Sequence, residues 1–288
     1  MVQVVFSAVM KTLSFYKQNA LTVLAPIYGP RESANIVEYW LEQQLGLTRV
    51  DQVLRAKEIF PFERYDHELA ELIARKPVQY IVGHTFFYGL KIGLNSETLI
   101  PRPETEELVD WIIASTPPND QIKILDIGTG SGCIAISLAK NLPNSTVYAL
   151  DISAEALKIA EQSAKKNNVF IHFFEADILN LNELQQSFNI IVSNPPYVRA
   201  SEKLQMQQNV LANEPHLALF VEDNNALLYY DKIANVAKKQ LANNGQLFFE
   251  INQYLGNETV ELISLKGFKN IELKKDIFGV DRMVKASL

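Results

Sequence analysis

The chain has 288 residues and a net charge of −6; 48% of its residues are apolar and 21% are charged. These values are typical of a globular protein with one large or two modest domains, and the acidic balance argues against a broad phosphate-binding surface. No apolar run approaches the roughly 18 residues that span a membrane, and the first residues lack a signal-peptide pattern. A single cysteine, Cys133, excludes an internal disulfide, and four scattered histidines predict no metal site. The expected location is the cytoplasm.

Residues 1–76 have the apolar periodicity of helices, which predicts a small helical bundle. The predicted helices are Met1 to Tyr16, a second from Pro30 to Gly46, a short third capped by Thr48 and Asp51, and a fourth from Phe62 to Ala74. The bundle contains no cluster of titratable residues. Its role is therefore either structural or the docking of a substrate, and the sequence leaves both open.

Residues 77–100 are predicted to form a linker that contains a β-hairpin. The segment from Phe86 to Ile92 has the pattern of two short strands, with Gly89 near the turn. After it, Pro101 and Pro103 flank Arg102, and a run of acidic residues opens a helix. The acidic residues complement the helix dipole, whereas Arg102, between two prolines on a stiff loop, is a candidate for facing a site.

From residue 121 onward, predicted strands and helices alternate, which is typical of a parallel sheet covered on both faces. The predicted strands are 122–127, 146–150, 170–174, 188–193 and 246–251, followed by 271–275 and 282–286. The short turn between the last two predicts an antiparallel hairpin. The predicted fold class is therefore α/β, with a Rossmann-like domain over residues 101–288 built on a mostly parallel seven-stranded sheet.

Three carboxylates follow three successive predicted strands. Asp126 precedes the loop Gly128-Thr129-Gly130-Ser131-Gly132, Asp151 ends the second strand, and Asp177 follows the third. Glycines let a ligand approach the backbone closely, and Asp126 suits a ligand that carries an amino group. Asp151 can accept the ribose hydroxyls, and Asp177 an adenine amine. S-adenosylmethionine has all of these groups and is the predicted cofactor; the alternative is a generic nucleotide-binding domain with solvated carboxylates.

The motif Asn194-Pro195-Pro196-Tyr197 follows the buried fourth strand of the predicted sheet. Because open α/β sheets bind ligands at the carboxyl ends of their strands, this motif is expected to face the cofactor. The Asn194 side-chain oxygen and the Pro195 backbone oxygen can accept the two hydrogens of a planar NH2 group, while Tyr197 lies flat against it. The motif predicts methyl transfer to such a group; the alternative is a strand that simply ends in a Pro-Pro turn.

The whole chain resembles the peptide chain release factor N5-glutamine methyltransferases, the PrmC/HemK family. The matching segments are Tyr80-Ile81-Val82-Gly83, the stretch from Pro101 to Glu106, the glycine loop with Asp126, Asn194 to Tyr197, and Asp276 with Gly279-Val280-Asp281-Arg282. The resemblance implies a class I methyltransferase domain that uses S-adenosylmethionine to methylate the side-chain amide of the glutamine in the Gly-Gly-Gln loop of class I release factors.

Carried over to this chain, the resemblance places the glycine loop, Asp151, Asp177 and Ile178 around the cofactor and Asn194 to Tyr197 around the substrate glutamine. Asn194 is also assigned to the cofactor side. After Glu250 the chain departs from the family pattern, so no role is assigned there. A monomer without membrane or nucleic-acid partners is expected. The alternatives are an amino-methyltransferase acting on adenine or guanine in nucleic acid, which the Asn-Pro-Pro-Tyr motif would serve equally well, and an inactive cofactor-binding module.

Overall fold

The structure is a computed structural model that describes residues 10–117, 120–206 and 208–288. It divides into two compact units, residues 1–83 and 84–288. The boundary between the two units falls inside residues 77–100, the segment that the sequence predicts to be a linker. The helix Val78–Val82 belongs to the first unit, and the β-hairpin begins the second.

The described part of the first unit is mostly helical. Its elements are β1 (Lys11–Thr12), α1 (Leu13–Tyr28), α2 (Pro30–Leu45), α3 (Arg49–Leu54), β2 (Ile59–Phe60), α4 (Tyr65–Ile73) and α5 (Val78–Val82). Trp40 lies fully buried at the centre, where its ring stacks on Tyr65 with centroids 5.3 Å apart. The indole Nε1 donates to the Oε2 of buried Glu68 at 2.6 Å, so the one polar atom of this large side chain is paired.

The predictions for the ends of α2 and the start of α3 are confirmed. Pro30 occupies the first turn of α2, and Gly46 ends it in the left-handed conformation. Thr48 and Asp51 form a reciprocal capping box at the start of α3.

The helix predicted for Met1 to Tyr16 is confirmed at residues 13–16 and wrong at residues 10–12, because α1 begins only at Leu13; residues 1–9 lie outside the described residues. The Thr12 hydroxyl accepts a hydrogen bond from the backbone N–H of Phe15 at 3.2 Å and so caps α1. Lys11 and Thr12 instead pair antiparallel with β2. The spacing of apolar residues within a short segment cannot reveal that the segment pairs with a strand nearly fifty residues away.

The second unit opens with the predicted hairpin, formed by β3 (His84–Phe87) and β4 (Leu90–Gly93). Its two turn residues, Tyr88 and Gly89, both have positive φ, 52° and 72°, as the type I′ form of a two-residue hairpin turn requires. The helix α6 (Pro103–Ala114) follows, with Pro103 in its first turn as predicted. The Glu106 carboxylate accepts the backbone N–H of Tyr88 at 2.6 Å, which ties the hairpin to this helix.

The remaining elements include the seven strands of the main sheet, a separate pair of short parallel strands, and the helices between them. They are β5 (Lys123–Ile127), α7 (Cys133–Asn141), β6 (Thr146–Asp151), α8 (Ala154–Lys166), β7 (Ile171–Glu175), β8 (Phe188–Ser193), β9 (Val198–Arg199), α9 (Gln208–Asn213), α10 (His216–Leu219), β10 (Phe220–Val221), α11 (Leu228–Gln240), β11 (Leu241–Glu250), α12 (Gly256–Leu265), β12 (Lys269–Lys275) and β13 (Asp281–Ser287). In the described residues, the order of the seven-stranded sheet is β12-β13-β11-β8-β5-β6-β7. All neighbours from β11 to β7 are parallel, and β13 is antiparallel to both β11 and β12, which confirms the predicted fold class.

Both faces of the sheet are buried. Ile124 and Ile190 belong to a cluster on one face that includes residues of α6 and α7, while Leu125 and Ile191 belong to a cluster on the other face that includes residues of α11 and α12. Successive residues of a strand point to opposite faces, so these strands are apolar without alternation. Such burial leaves the carboxyl ends of the strands as the place where polar side chains can emerge together.

Gly132 controls how closely the glycine loop approaches α8. It precedes α7 with a φ of 82°, and a Cβ added to it would lie 2.9 Å from the Cβ of Ala160. We expect Gly132→Ala to lower the free energy of unfolding by about 2–4 kcal/mol, from left-handed strain and overpacking together. Gly130→Ala is the matched control, because its φ is 55° but its Cβ would meet no atom within 4 Å. Urea unfolding of both variants checks this, and equal losses would contradict it.

Candidate active site

A cavity of the second unit lies at the carboxyl ends of β5, β6 and β8. The segments that follow these strands and β7 all contribute to its lining: 127–131, 150–153, 176–179 and 193–196. Further lining residues come from 97–105 before and within α6, and from Pro215, Leu217 and Ala218. Among the described residues there is no group of three or more His, Cys, Asp or Glu side chains suited to a metal ion.

The register of the central strands determines which residues meet at this cavity. Ser193 of β8 pairs with Ile127 of β5 on one side and with Phe249 of β11 on the other. The next residues along the three strands therefore emerge side by side: Gly128, Asn194 and Glu250. The glycine loop and the Asn-Pro-Pro-Tyr motif are thus neighbours, as the sequence predicts.

The glycine loop exposes its backbone to the cavity. Gly128 and Gly130 both have positive φ, 71° and 55°, and a Cβ at either would meet no atom within 4 Å. A ligand can therefore approach the backbone at these two positions. Gly132 does not line the cavity and instead packs closely against α8.

Asp151 is fixed at the end of β6 by two backbone groups. Its Oδ2 accepts the N–H of Gly130 at 2.8 Å and its Oδ1 accepts that of Ser153 at 2.9 Å. Burial raises the pKa of Asp151, while these hydrogen bonds oppose the shift by stabilising the charged form. Each carboxylate oxygen can still accept a second hydrogen bond, so the group suits a pair of hydroxyls.

Asp177 and Ile178 form the next part of the lining. The Asp177 carboxylate accepts the N–H of Leu179 at 2.9 Å and the side-chain amide of Asn180 at 2.6 Å. Ile178 is buried beside it, and Tyr229 lines the same part of the cavity. A flat heterocycle with an exocyclic amine fits this combination of apolar surface and carboxylate. Together with Asp151 and the open glycine backbone, these residues fit S-adenosylmethionine.

The structure does not bring Asp126 to the cavity surface. Asp126 is fully buried beneath the loop, where its Oδ2 accepts the Thr129 hydroxyl at 2.6 Å. Its Oδ1 has no hydrogen-bond partner in the described part of the chain. Burial raises the pKa of Asp126 to about 7. Thr129 therefore lines the cavity in its place, and Asp126 supports the loop from behind.

The Asn-Pro-Pro-Tyr motif is divided between the cavity and the interior. Asn194, Pro195 and Pro196 line the cavity, whereas Tyr197 does not. The Tyr197 hydroxyl donates to Glu250 Oε1 at 3.0 Å, and burial raises the pKa of this hydroxyl. The predicted stacking of Tyr197 on a substrate plane stays a prediction; in this structure its polar end is engaged with Glu250.

The sequence interpretation missed two residues that join this site. Asn194 Nδ2 donates to the Thr105 hydroxyl over a long 3.4 Å, and that hydroxyl donates to Glu250 Oε2 at 2.6 Å. Thr105 and Glu250 are only 2% and 1% exposed. Glu250 had the same signal as the predicted carboxylates, because it also ends a buried parallel strand.

Arg102 both lines the cavity and takes part in an ion pair. Its Nη2 lies 2.7 and 2.8 Å from the two carboxylate oxygens of Glu214, which is itself buried. Pro215, which follows Glu214, also lines the cavity. The ion pair thus joins the loop before α6 to the segment that follows the Asn-Pro-Pro-Tyr motif.

The strand order, the antiparallel β13, the glycine loop and the acidic strand ends together define a class I S-adenosylmethionine-dependent methyltransferase. The family model described as methyltransferase small domain matches residues 109–220, and the model described as PrmC N-terminal domain matches residues 19–83. None of the described helices combines the length and apolar composition needed to cross a lipid bilayer.

More specifically, the chain belongs to the family of release factor glutamine methyltransferases. It is 52% identical over 278 residues to the release factor glutamine methyltransferase of Flavobacterium psychrophilum, covering 94% of this chain and 98% of that protein. It is 42% identical to that of Bacteroides thetaiotaomicron, over 92% and 96% of the two chains. A solved release factor-specific protein-(glutamine-N5) methyltransferase from Alicyclobacillus acidocaldarius aligns with 26% identity and a TM-score of 0.41, covering 65% of this chain and 93% of that one.

The buried Asp126 carboxyl predicts a pH-dependent stability. Because its pKa is raised to about 7, the folded chain keeps a proton that the unfolded chain loses from about pH 4 upward. The free energy of unfolding should therefore fall by up to about 1.4 kcal/mol per pH unit through this window and level off above pH 7. Asp126→Asn should make this slope shallower by the Asp126 contribution in denaturant titrations at pH 5 to 8.

Asp223→Asn is the control for that experiment. Hydrogen bonds to the backbone of Ser201 lower the pKa of exposed Asp223, so this carboxyl titrates only at lower pH. The control should keep the wild-type slope between pH 5 and 8. An unchanged slope in Asp126→Asn would show that the carboxyl does not titrate there.

Proposed function

We propose that the chain transfers a methyl group from S-adenosylmethionine to the side-chain amide nitrogen of the glutamine in the Gly-Gly-Gln loop of a peptide chain release factor. One observation carries the proposal: Asn194 and Pro195 lie in the same cavity as Asp151 and the open glycine backbone. A carboxamide held at Asn194 is therefore next to the residues that fit the cofactor. Family membership supplies the substrate class.

The residues that would hold the cofactor divide by chemistry. The backbone at Gly128 and Gly130 is open to its amino acid portion, Asp151 presents carboxylate oxygens to the ribose hydroxyls, and Asp177 with Ile178 takes the adenine. When bound, S-adenosylmethionine supplies a methyl group on a positively charged sulfur, which is an excellent leaving group. The protein consequently needs to align and desolvate the acceptor rather than ionise it beforehand.

The acceptor side of the cavity suits a planar amide. Asn194 Nδ2 is engaged with Thr105, which leaves Oδ1 as the acceptor that this side chain presents to a substrate N–H. The Pro195 carbonyl can take the second hydrogen, and holding both hydrogens fixes the orientation of the nitrogen. Among the described lining residues there is neither a histidine nor a lysine. This agrees with a reaction in which the proton leaves after the methyl group has moved.

The remaining parts of the proposal concern partners and location. The helical unit, assigned to residues 1–76 from the sequence, is proposed to dock the release factor. Its match to the PrmC N-terminal domain model supports only that this unit is common to the family. We place the monomeric enzyme in the cytoplasm, where release factors act. The net charge of −6 supports a protein substrate rather than a nucleic acid.

Transfer of a labelled methyl group tests the substrate class directly. The purified chain is incubated with labelled S-adenosylmethionine and, separately, with a release factor, DNA or RNA. We expect label only in the release factor, and mass spectrometry of its tryptic peptides should place the added mass on the Gly-Gly-Gln glutamine. A release factor with alanine at that glutamine is the control. Label in nucleic acid alone would overturn the proposal in favour of the amino-methyltransferase alternative.

Two substitutions separate the acceptor side from the cofactor side. Asn194→Ala should keep cofactor affinity within roughly tenfold while losing most turnover, because it removes an acceptor that orients the substrate amide. Asp151→Ala should weaken cofactor binding by about 1–3 kcal/mol, because it removes the carboxylate placed for the ribose. Calorimetry and turnover assays on both variants check this, each serving as the other's control. Unchanged affinity in Asp151→Ala, or wild-type turnover in Asn194→Ala, would contradict the assignment.

A further inference from the structure

Three chain segments meet through the side chain of Thr105. This residue lies in the first turn of α6 and is 2% exposed, and its hydroxyl contacts both Glu250 Oε2 at 2.6 Å and Asn194 Nδ2 at 3.4 Å. Glu250 follows the end of the β11 segment that pairs with β8, and Asn194 follows the end of β8. The contact therefore connects the carboxyl ends of two neighbouring strands through a helix.

The direction of these hydrogen bonds follows from the chemistry of the three groups. An ionised carboxylate only accepts, so the single hydroxyl proton of Thr105 points to Glu250. The Thr105 oxygen can then only accept from Asn194, which requires Nδ2 rather than Oδ1 to face it. The Asn194 oxygen is thereby left for a substrate N–H.

Shape alone does not select this orientation of Asn194. The oxygen and nitrogen of a side-chain amide are nearly equal in size, so a flipped amide packs almost as well and only the hydrogen-bond network distinguishes the two. In the flipped state, Asn194 would present its NH2 group to the NH2 group of a substrate. Neither group could then accept a hydrogen from the other.

We propose that Glu250 and Thr105 are positioning residues that keep the Asn194 oxygen directed at the substrate amide in the proposed methyl transfer. The inference rests on the proposed function and adds to it the reason why a buried glutamate lies behind the Asn-Pro-Pro-Tyr motif. Neither residue is assigned a bond-making role.

The surroundings of Glu250 hold its carboxylate in place for this task. Its second oxygen accepts the Tyr197 hydroxyl at 3.0 Å, and its backbone carbonyl accepts the hydroxyl of buried Tyr230 at 3.2 Å. Burial raises the pKa of Glu250 above its ordinary value, and the hydrogen bonds from Thr105 and Tyr197 and the positive charge of Arg282 oppose this shift only in part. The Nε of Arg282 lies 3.0 Å from the Oδ2 of Asp276, and this ion pair holds Arg282 in place. Asp276 and Arg282 both belong to the last of the segments that match the family.

Substitution of Thr105 tests the inference. Thr105→Val keeps the shape and removes the hydroxyl, and we expect kcat to fall roughly 10- to 100-fold because the amide loses its fixed orientation. Thr105→Ser restores the hydroxyl and should bring kcat back to within about threefold of the wild type. Cofactor affinity measured by calorimetry should stay within about threefold in both variants, since the change concerns the acceptor side.

Thr116→Val is the matched control at the other end of α6. The Thr116 hydroxyl is buried and donates to the Ile112 carbonyl at 2.7 Å, but Thr116 does not line the cavity. Thermal unfolding of Thr105→Val and Thr116→Val reports the general cost of losing a buried hydroxyl. We expect Thr116→Val to keep wild-type kcat, and an equal loss of kcat in both variants would overturn the inference.

A double-mutant cycle shows whether Thr105 acts through Asn194. If it does, adding Thr105→Val to Asn194→Ala should change kcat by less than about threefold, whereas independent roles would multiply the two losses. Glu250→Gln provides a second route if Thr105→Val does not fold. The glutamine amide can donate to Thr105 and so permit the flipped state, and kcat should fall roughly 2- to 10-fold.

The outcomes separate this inference from the proposed function. The wild-type enzyme is assayed beside every variant, and a wild type that does not methylate release factor refutes the function. Two outcomes refute only the positioning role of Glu250 and Thr105 when the wild type does methylate release factor. One is that the losses of kcat multiply in the double-mutant cycle. The other is that Thr105→Val or Glu250→Gln keeps the wild-type kcat.

Discussion

The register of three parallel strands is the constraint on which the site depends. Ser193 pairs with Ile127 on one side and Phe249 on the other, so the residues that follow each strand emerge together at one edge. At this edge the glycine loop contributes residues with positive φ and an open backbone, and the neighbouring Asn-Pro-Pro-Tyr segment contributes the side-chain amide of Asn194. A slip of this register by one residue would turn every side chain of the slipped strand to the opposite face and move Asn194 away from the cofactor side.

The buried carboxylates around the cavity differ in how far hydrogen bonds and ion pairs offset the cost of their burial. Glu214 is paired with Arg102, and Glu250 accepts two hydroxyls. Asp126 has one hydroxyl partner and one oxygen without a partner in the described residues. Burial that few hydrogen bonds offset raises the pKa of a carboxyl, which accounts for the pKa of about 7 at Asp126.

Much of the fold could be predicted because its signals are local. The strands of the sheet are apolar runs, Pro103 and Gly46 mark helix ends, and the turn at Gly89 requires positive φ. The candidate cofactor residues follow from the same local signals, since an acid after a buried parallel strand emerges at the ligand-binding edge.

The remainder depends on contacts between residues that are distant in sequence. Thr105 and Glu250 are 145 positions apart, and the sequence around either residue does not indicate that the two are in contact. The engagement of Tyr197 with Glu250, instead of with the cavity, has the same origin. The strand at Lys11 and Thr12 likewise forms only because β2 is present to pair with it.

The position of β13 has a consequence for how the sheet assembles. This strand follows all the others in sequence, yet it lies between β11 and β12. Until residues 281–287 emerge during synthesis, one side of β11 is an unpaired edge, open to association with another chain. The edge of β11, the strand that carries Glu250, is therefore covered only late in synthesis. Mutations that slow the insertion of β13 should increase the aggregation of newly made chains, while the chains that do fold should remain active.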